Sequence, residues 1–170
     1  MTEYVSLVDR QDNETGIMEK MAAHQQGLLH RALSVFIFND RKEFLLQRRA
    51  AAKYHSPLLW TNACCSHPRP GEVLIDAANR RLMEEMNMTS DLSHQFSFIY
   101  KAEFENGLTE HELDHVFFGR ANLSPVPDPD EVSDWKYLSL AAVEKDIALH
   151  PDQYTAWFKL ILPKVKAILY

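Results

Sequence analysis

Strand-length apolar runs lie on both sides of one amphipathic helix, and two further helical segments close the chain. Together they predict an α+β fold, a mixed sandwich of sheet and helices. The opening strand is expected at Tyr4–Val8. Leu33–Phe38 and Glu43–Arg48 flank the polar set Asn39-Asp40-Arg41-Lys42, which reads as a β-hairpin. A strand is expected over Leu59–Ala63, and three more over Phe96–Phe104, Leu113–Ala121 and Val132–Leu138. Between them, GEVLIDAANRRLMEEMNM repeats Ile75, Ala78, Leu82 and Met86 at spacings of three and four, the mark of a helix with one apolar face. The last two helices are expected over Leu140–Ala148, with Ser139 as cap, and after Pro151. SPVPDPDE reads as an ordered connection, and no internal repeat is visible.

A length of 170 residues with 46% hydrophobic content suits one domain over 1–170, with a core that needs neither disulfide nor structural metal. No run reaches the roughly 18 uninterrupted apolar residues of a membrane span, and MTEYVSLVDRQDN is too polar for a signal peptide. A cytoplasmic protein without a membrane partner is expected. Cys64 and Cys65 are adjacent, so a bridge between them would be strained, and both are expected as free thiols. With 24 acidic against 18 basic residues and no basic stripe, nucleic acid is not an expected partner. An anionic ligand would therefore need local cations or a metal.

Three constellations carry candidate chemistry. In TNACCSHP, Cys65 and His67 stand two apart, so an extended backbone turns both toward one cavity; a small buried hydrophobe and a core histidine are the plainer alternative. In the central helix, Glu72, Glu84 and Glu85 accompany Arg81, which is one turn before Glu85; a solvated ion-paired face explains these as cheaply as a site does. In TEHEL, Glu110 and Glu112 share one strand face and His111 takes the other. With His24, His30 and His67 they offer three imidazoles and two carboxylates, a mixed donor set that suits manganese, zinc or iron.

The central helix resembles the Nudix box from Glu72 through Arg80 to Glu84-Glu85, with three departures: Ser66 for the first glycine, Arg81 for a carboxylate and Asn87 for the later glycine. Asn tolerates the left-handed conformation of a helix end. Arg81 instead places a cation where a hydrolase keeps negative charge for magnesium, and suits a phosphate oxygen better. The combination of EKMAAHQQGLLHRA, QRRAAAKYH, WTNACCSHP, RRLMEE, IYKAEF and TEHELDHVFF, from about Val5 to Trp157, is similar to type 1 isopentenyl-diphosphate Δ-isomerase, a metal-dependent branch of the Nudix superfamily.

That resemblance implies a Nudix-type α/β/α sandwich with a mixed β-sheet. It also implies conversion of isopentenyl diphosphate to dimethylallyl diphosphate through a carbocation-like intermediate, a step of isoprenoid biosynthesis. Cys65 and Glu112 would flank the substrate as proton-transfer partners, in an order left open, with Tyr100 steadying the proton near Glu112. His24, His30, His67, Glu110 and Glu112 would hold Mn2+ or another divalent ion such as Zn2+, and Glu85 a Mg2+ that bridges to the diphosphate. Lys20, Arg49, Lys53 and Arg81 would grip the phosphates, and Trp157 would form an aromatic wall. Cys64 is given no role beyond packing, and monomer and homodimer are both left open. A hydrolase of a nucleoside diphosphate derivative and a non-catalytic metal-binding module are the competing readings.

Overall fold

The alternation that makes Leu33–Phe38 a strand also decides which helix covers which face. The computed structural model describes residues 2–170, and in it this strand is the centre of a nine-stranded mixed sheet. Strand β1 (Tyr4–Val8) pairs with β2 (Glu14–Glu19) and touches β3 (His30–Phe38). On its other sides β3 meets β4 (Phe44–Arg49), β6 (Cys64–Ser66) and, in parallel, β8 (Thr109–Arg120). The short β5 (Trp60–Thr61) and β9 (Val132–Leu138) pair with β4, and β7 (Ser93–Glu103) forms a long antiparallel pair with β8.

Leu33, Val35 and Ile37 face α2 (Leu74–Met86), whose Ala77, Ala78, Leu82 and Met86 are buried against them. Phe36 and Phe38, one residue out of phase, face α3 (Leu140–Leu149) and α4 (Ala156–Leu169), meeting Val143, Phe158, Ile161 and Val165. Helix, sheet and helices thus form the expected three layers, each buried Leu, Ile or Phe contributing roughly 1.5–3 kcal/mol. His30 and Ser34 share the second face yet are polar and buried. They mark where that face stops being core and becomes a site.

Several local departures have physical reasons. The strand expected over Leu59–Ala63 is only Trp60–Thr61, because the Asn62 side-chain amide donates to Val35 O (3.0 Å) and Cys64 O (2.8 Å), and the chain rejoins the sheet at Cys64. Pro151 opens a single 3₁₀ turn, Pro151–Gln153; the last α-helix begins at Ala156, capped by Thr155. The strand expected over Phe96–Phe104 begins earlier, at Ser93, and so takes in His94. Ser139 caps α3, and Asn87 ends α2 at φ 50° as its side-chain chemistry allows.

A helix absent from the expectations, α1 (Lys20–Gln26), is capped by the Glu19 carboxylate, which accepts from Met21 N and Ala22 N. It ends at Gly27, φ 61°, where a side chain would be strained. That turn folds His24 back toward His30. Cys64 is buried in the core under α2. No helix among the described residues is long and apolar enough to cross a membrane.

Gly119 of β8 tests the packing. A Cβ there would collide with Ser90 Oγ and lie 2.6 Å from Leu92 Cδ2 and 3.0 Å from Ile37 Cδ1. Ser90 Oγ is fixed by bonds to both backbone groups of Arg120, at 2.9 Å each, so it has no free direction to move. Gly119→Ala is expected to lower unfolding free energy by about 1–3 kcal/mol with an unchanged denaturant slope, measured by urea titration.

Candidate active site

Three elements that are remote in sequence bring their side chains to one hollow of about 620 Å³, at the end of the second sheet face. Strand β8 places Glu110 and Glu112 on its inner side, β6 and the residues after it bring Cys65 and His67, and α4 brings Trp157. His24 and His30 lie fully buried behind this wall, within reach of Glu112.

Glu112 Oε1 is the hub, with His67 Nε2 at 2.9 Å, His30 Nε2 at 3.5 Å and His24 Nε2 at 3.9 Å. Backbone carbonyls fix two of these rings: His24 Nδ1 meets Lys20 O at 2.7 Å and His30 Nδ1 meets Leu28 O at 2.8 Å, turning each Nε2 inward. His24 Nε2 is buried without a hydrogen-bond partner, and His30 Nε2 is only 3.2 Å from His67 Nε2. Two ring nitrogens so close need a proton or a cation between them. The ligand atoms of His24, His30, His67 and Glu112 all lie within 4.8 Å of one another, a nitrogen-and-oxygen set that fits a divalent ion. Glu110 stands next door, grouped with His24 and with His55.

Glu110 and Glu112 are both buried, and they titrate apart. Burial alone would raise Glu112, but bonds from His30 and His67 overcome it and hold the carboxyl well below its usual range. Glu110 is driven well above that range by burial and by the charge of Glu112. Tyr100, the cross-strand partner of Glu112, lies between them, with its hydroxyl 2.6 Å from Glu112 Oε2 and 3.0 Å from Glu110 Oε2. One phenol proton cannot serve two carboxylates; it goes to the nearer one, and Glu110 supplies its own. His55 Nε2 meets the other Glu110 oxygen at 3.0 Å.

Cys65 is held from several sides. Its thiol donates to Asn62 Oδ1 at 2.9 Å, and Trp157 Nε1 donates to the sulfur at 2.9 Å. Its cross-strand partner Ser34 lies 3.6 Å from the sulfur and donates to Asp114 Oδ2 at 2.7 Å. Burial and the nearby Asp114 push the thiol up to about 12, so it carries its proton at neutral pH. Trp157 also bears the Arg49 guanidinium 5.2 Å from its ring centre.

Four cations, Lys20, Arg49, Lys53 and Arg81, line the same hollow. Lys20 pairs with Glu3, Lys53 with Glu131, and Arg81 with Glu84 (2.6 Å) and Glu85 (2.7 Å). Arg49 is buried, with its Nε unpartnered. Glu85 Oε2 also accepts from Gln47 at 2.8 Å. His55, Asn62, Asp114 and Glu131 belong to this environment although no motif singled them out. Of the four, only Asp114 had a usable signal, since it continues the alternation of Glu110 and Glu112.

Residues 28–158 match the NUDIX domain family. The chain is 51% identical to isopentenyl-diphosphate Delta-isomerase 2 of Aromatoleum aromaticum, over 97% of this chain and 87% of that protein. It is 49% identical to the isopentenyl-diphosphate Delta-isomerase of Pectobacterium atrosepticum, over 97% and 92%. Among solved structures, DR0079 from Deinococcus radiodurans superposes with a TM-score of 0.81 at 19% identity, covering 95% of this chain and 98% of that one. A MutT protein from Methanosarcina mazei Go1 gives 0.65 at 19%, covering 82% and 94%. At that identity the structures speak for the fold alone, which is the expected α/β/α sandwich.

Burial, and then the neighbouring His30 and His24, depress His67 to about 4 against the opposing pull of Glu112. In metal-free protein the unfolded chain takes up this proton from pH 6.5 downward, while the folded chain waits until about 4. The share of stability that depends on His67 is therefore expected to fall by about 3 kcal/mol across that window and to be constant above it. Urea titrations of the parent and of His67→Gln at a series of pH values check this, the parent losing that much relative to the variant.

Proposed function

The chain belongs to the isopentenyl-diphosphate Delta-isomerase family of NUDIX-domain proteins, and from that premise we infer that it converts isopentenyl diphosphate to dimethylallyl diphosphate by moving one carbon–carbon double bond. The observation that carries this reading is the Cys65 thiol and the imidazole-anchored Glu112 carboxylate lining the same hollow as four cations.

The chemistry needs one proton delivered to the terminal alkene carbon and one removed from the carbon on the far side of the developing tertiary cation. An unactivated alkene is a weak base, so the acid must be positioned and water kept out. We assign one transfer each to Cys65 and Glu112. By reversibility, each is the donor in one direction. Tyr100 holds Glu112 through its short hydroxyl bond, and the Trp157 N–H steadies the sulfur whenever it lacks its proton. The Trp157 ring adds roughly 0.5–2 kcal/mol of attraction for a cation at its free face. Lys20, Arg49, Lys53 and Arg81 anchor the diphosphate, which places the hydrocarbon tail between thiol and carboxylate.

A NUDIX domain binds a divalent metal. We place Mn2+ or Zn2+ at His24, His30, His67, Glu112 and the adjoining Glu110, and Mg2+ at Glu85 with the diphosphate. Such an ion supplies positive charge that lets both carboxylates of β8 stay ionised and fixes how Glu112 faces the substrate. The further reading is of a cytoplasmic enzyme with a small-molecule partner and no nucleic-acid or membrane partner, working as monomer or homodimer. Hydrolysis fits the site poorly, because Arg81 stands where a hydrolase needs a carboxylate.

Incubation with isopentenyl diphosphate and magnesium in heavy water is expected to give dimethylallyl diphosphate with deuterium in a methyl group, read by proton NMR. Release of phosphate from nucleotides with no shift of the double bond would reverse the assignment. Cys65→Ser and Cys65→Ala should lower turnover by at least about 100-fold. Their unfolding free energies should stay within about 1 kcal/mol of the parent. A variant with parental turnover removes Cys65 from the mechanism.

A further inference from the structure

We infer that Glu131 sets the affinity of the diphosphate subsite, as an internal counter-anion that occupies Lys53 and Arg81 until an anionic ligand displaces it. This rests on the diphosphate reading above. Glu131 lines the hollow, pairs with Lys53, and lies 3.5 Å from Arg81 Nη2. Arg81 is already paired with Glu84 and Glu85 on its own helix, so the fold does not require a third carboxylate beside it. Lys53 pairs with no other carboxylate among the described residues.

The placement of Glu131 is built rather than accidental. Its backbone oxygen accepts from Ala50 N at 3.0 Å, on the loop that carries Lys53. Its own N–H donates to Asp128 O at 3.0 Å, and Asp128 N donates to Glu85 O at 3.0 Å, on the helix that carries Arg81. The carboxylate is therefore tethered to both walls it neutralises. A partly exposed ion pair adds little stability, about 0–1 kcal/mol, yet a fixed negative charge opposes every anion that enters.

An arriving anion must replace one carboxylate that already reaches both cations. A single phosphoryl group can take both places, and a diphosphate brings two. Glu131 therefore opposes either anion by competing for Lys53 and Arg81.

The test measures binding of inorganic pyrophosphate and of orthophosphate, each with magnesium, by titration calorimetry on the full-length protein and on Glu131→Gln. The parent is expected to prefer pyrophosphate. In Glu131→Gln both anions should tighten, pyrophosphate on the order of tenfold. Unchanged or weaker binding of pyrophosphate overturns the inference, and a weakened magnesium dependence would make Glu131 a metal ligand instead. A parent that binds neither anion defeats the diphosphate reading itself, a different failure from parent-like affinity in the variant. Should Glu131→Gln fold poorly by circular dichroism, Glu131→Ser is expected to show the same tightening.

Discussion

Two carboxylates on one face of a buried strand are the constraint around which this structure is arranged. Glu110 and Glu112 must point the same way because a strand repeats every second residue, and β8 is pinned on both sides, by β3 in parallel and by β7 antiparallel. Neither can retreat to solvent. Each side chain nearby is an answer to that charge. Tyr100 gives its proton to one, three imidazoles surround it, and His55 reaches the other. The two groups divide into one proton-bearing and one ionised acid, the usual outcome when like charges share a dry space.

The same constraint explains why a polar hollow is tolerated inside an apolar layer. On the second face of the sheet, the residues around Phe36 and Phe158 pack as core, while His30, Ser34 and Asp114 on the same face are buried and polar. Unpaired buried polar atoms cost about 1–3 kcal/mol each. The exceptions cluster here: His24 Nε2, Arg49 Nε, Arg81 Nε and Asp114 Oδ1. Unpartnered donors on Arg49 and Arg81 and an unpartnered ring nitrogen on His24 suit the anion and the divalent ion of the reading proposed above.

What the sequence made legible follows from the range of the forces involved. Strands Tyr4–Val8 and Val132–Leu138 were readable because period-two alternation is local, and Ser139 and Asn87 because capping is local. The short α1 was not, since its cap is a glutamate and its seven residues are too few to show a period. Within the site, the pairs Cys65/His67 and Glu110/Glu112 follow from spacing. Tyr100, Trp157, Lys20, Arg49 and Lys53 were reachable only through resemblance to a family; His55 ends one of the matching motifs without a role given to it, and Glu131 lies in none. Their partners are 55 residues on for His55, at Glu110, and 78 residues back for Glu131, at Lys53, so nothing near them in the chain announces the contact.

Arg81 shows how one charge can move chemistry from one end of a cavity to the other. A catalyst acting on phosphorus needs carboxylates on this helix face to hold metal beside an attacking water. Here the guanidinium draws Glu84 and Glu85 to itself, and Arg80 binds Glu72 and Glu84 in the same way. The helix keeps its acidic residues but has their charge matched, so it can hold a diphosphate in place without being equipped to cleave it. On the reading proposed above, reactivity is then left to Cys65, whose thiol retains its proton through burial, and to Glu112, which loses its own to the imidazoles. On that reading the NUDIX scaffold uses the phosphates as the handle and the hydrocarbon as the substrate.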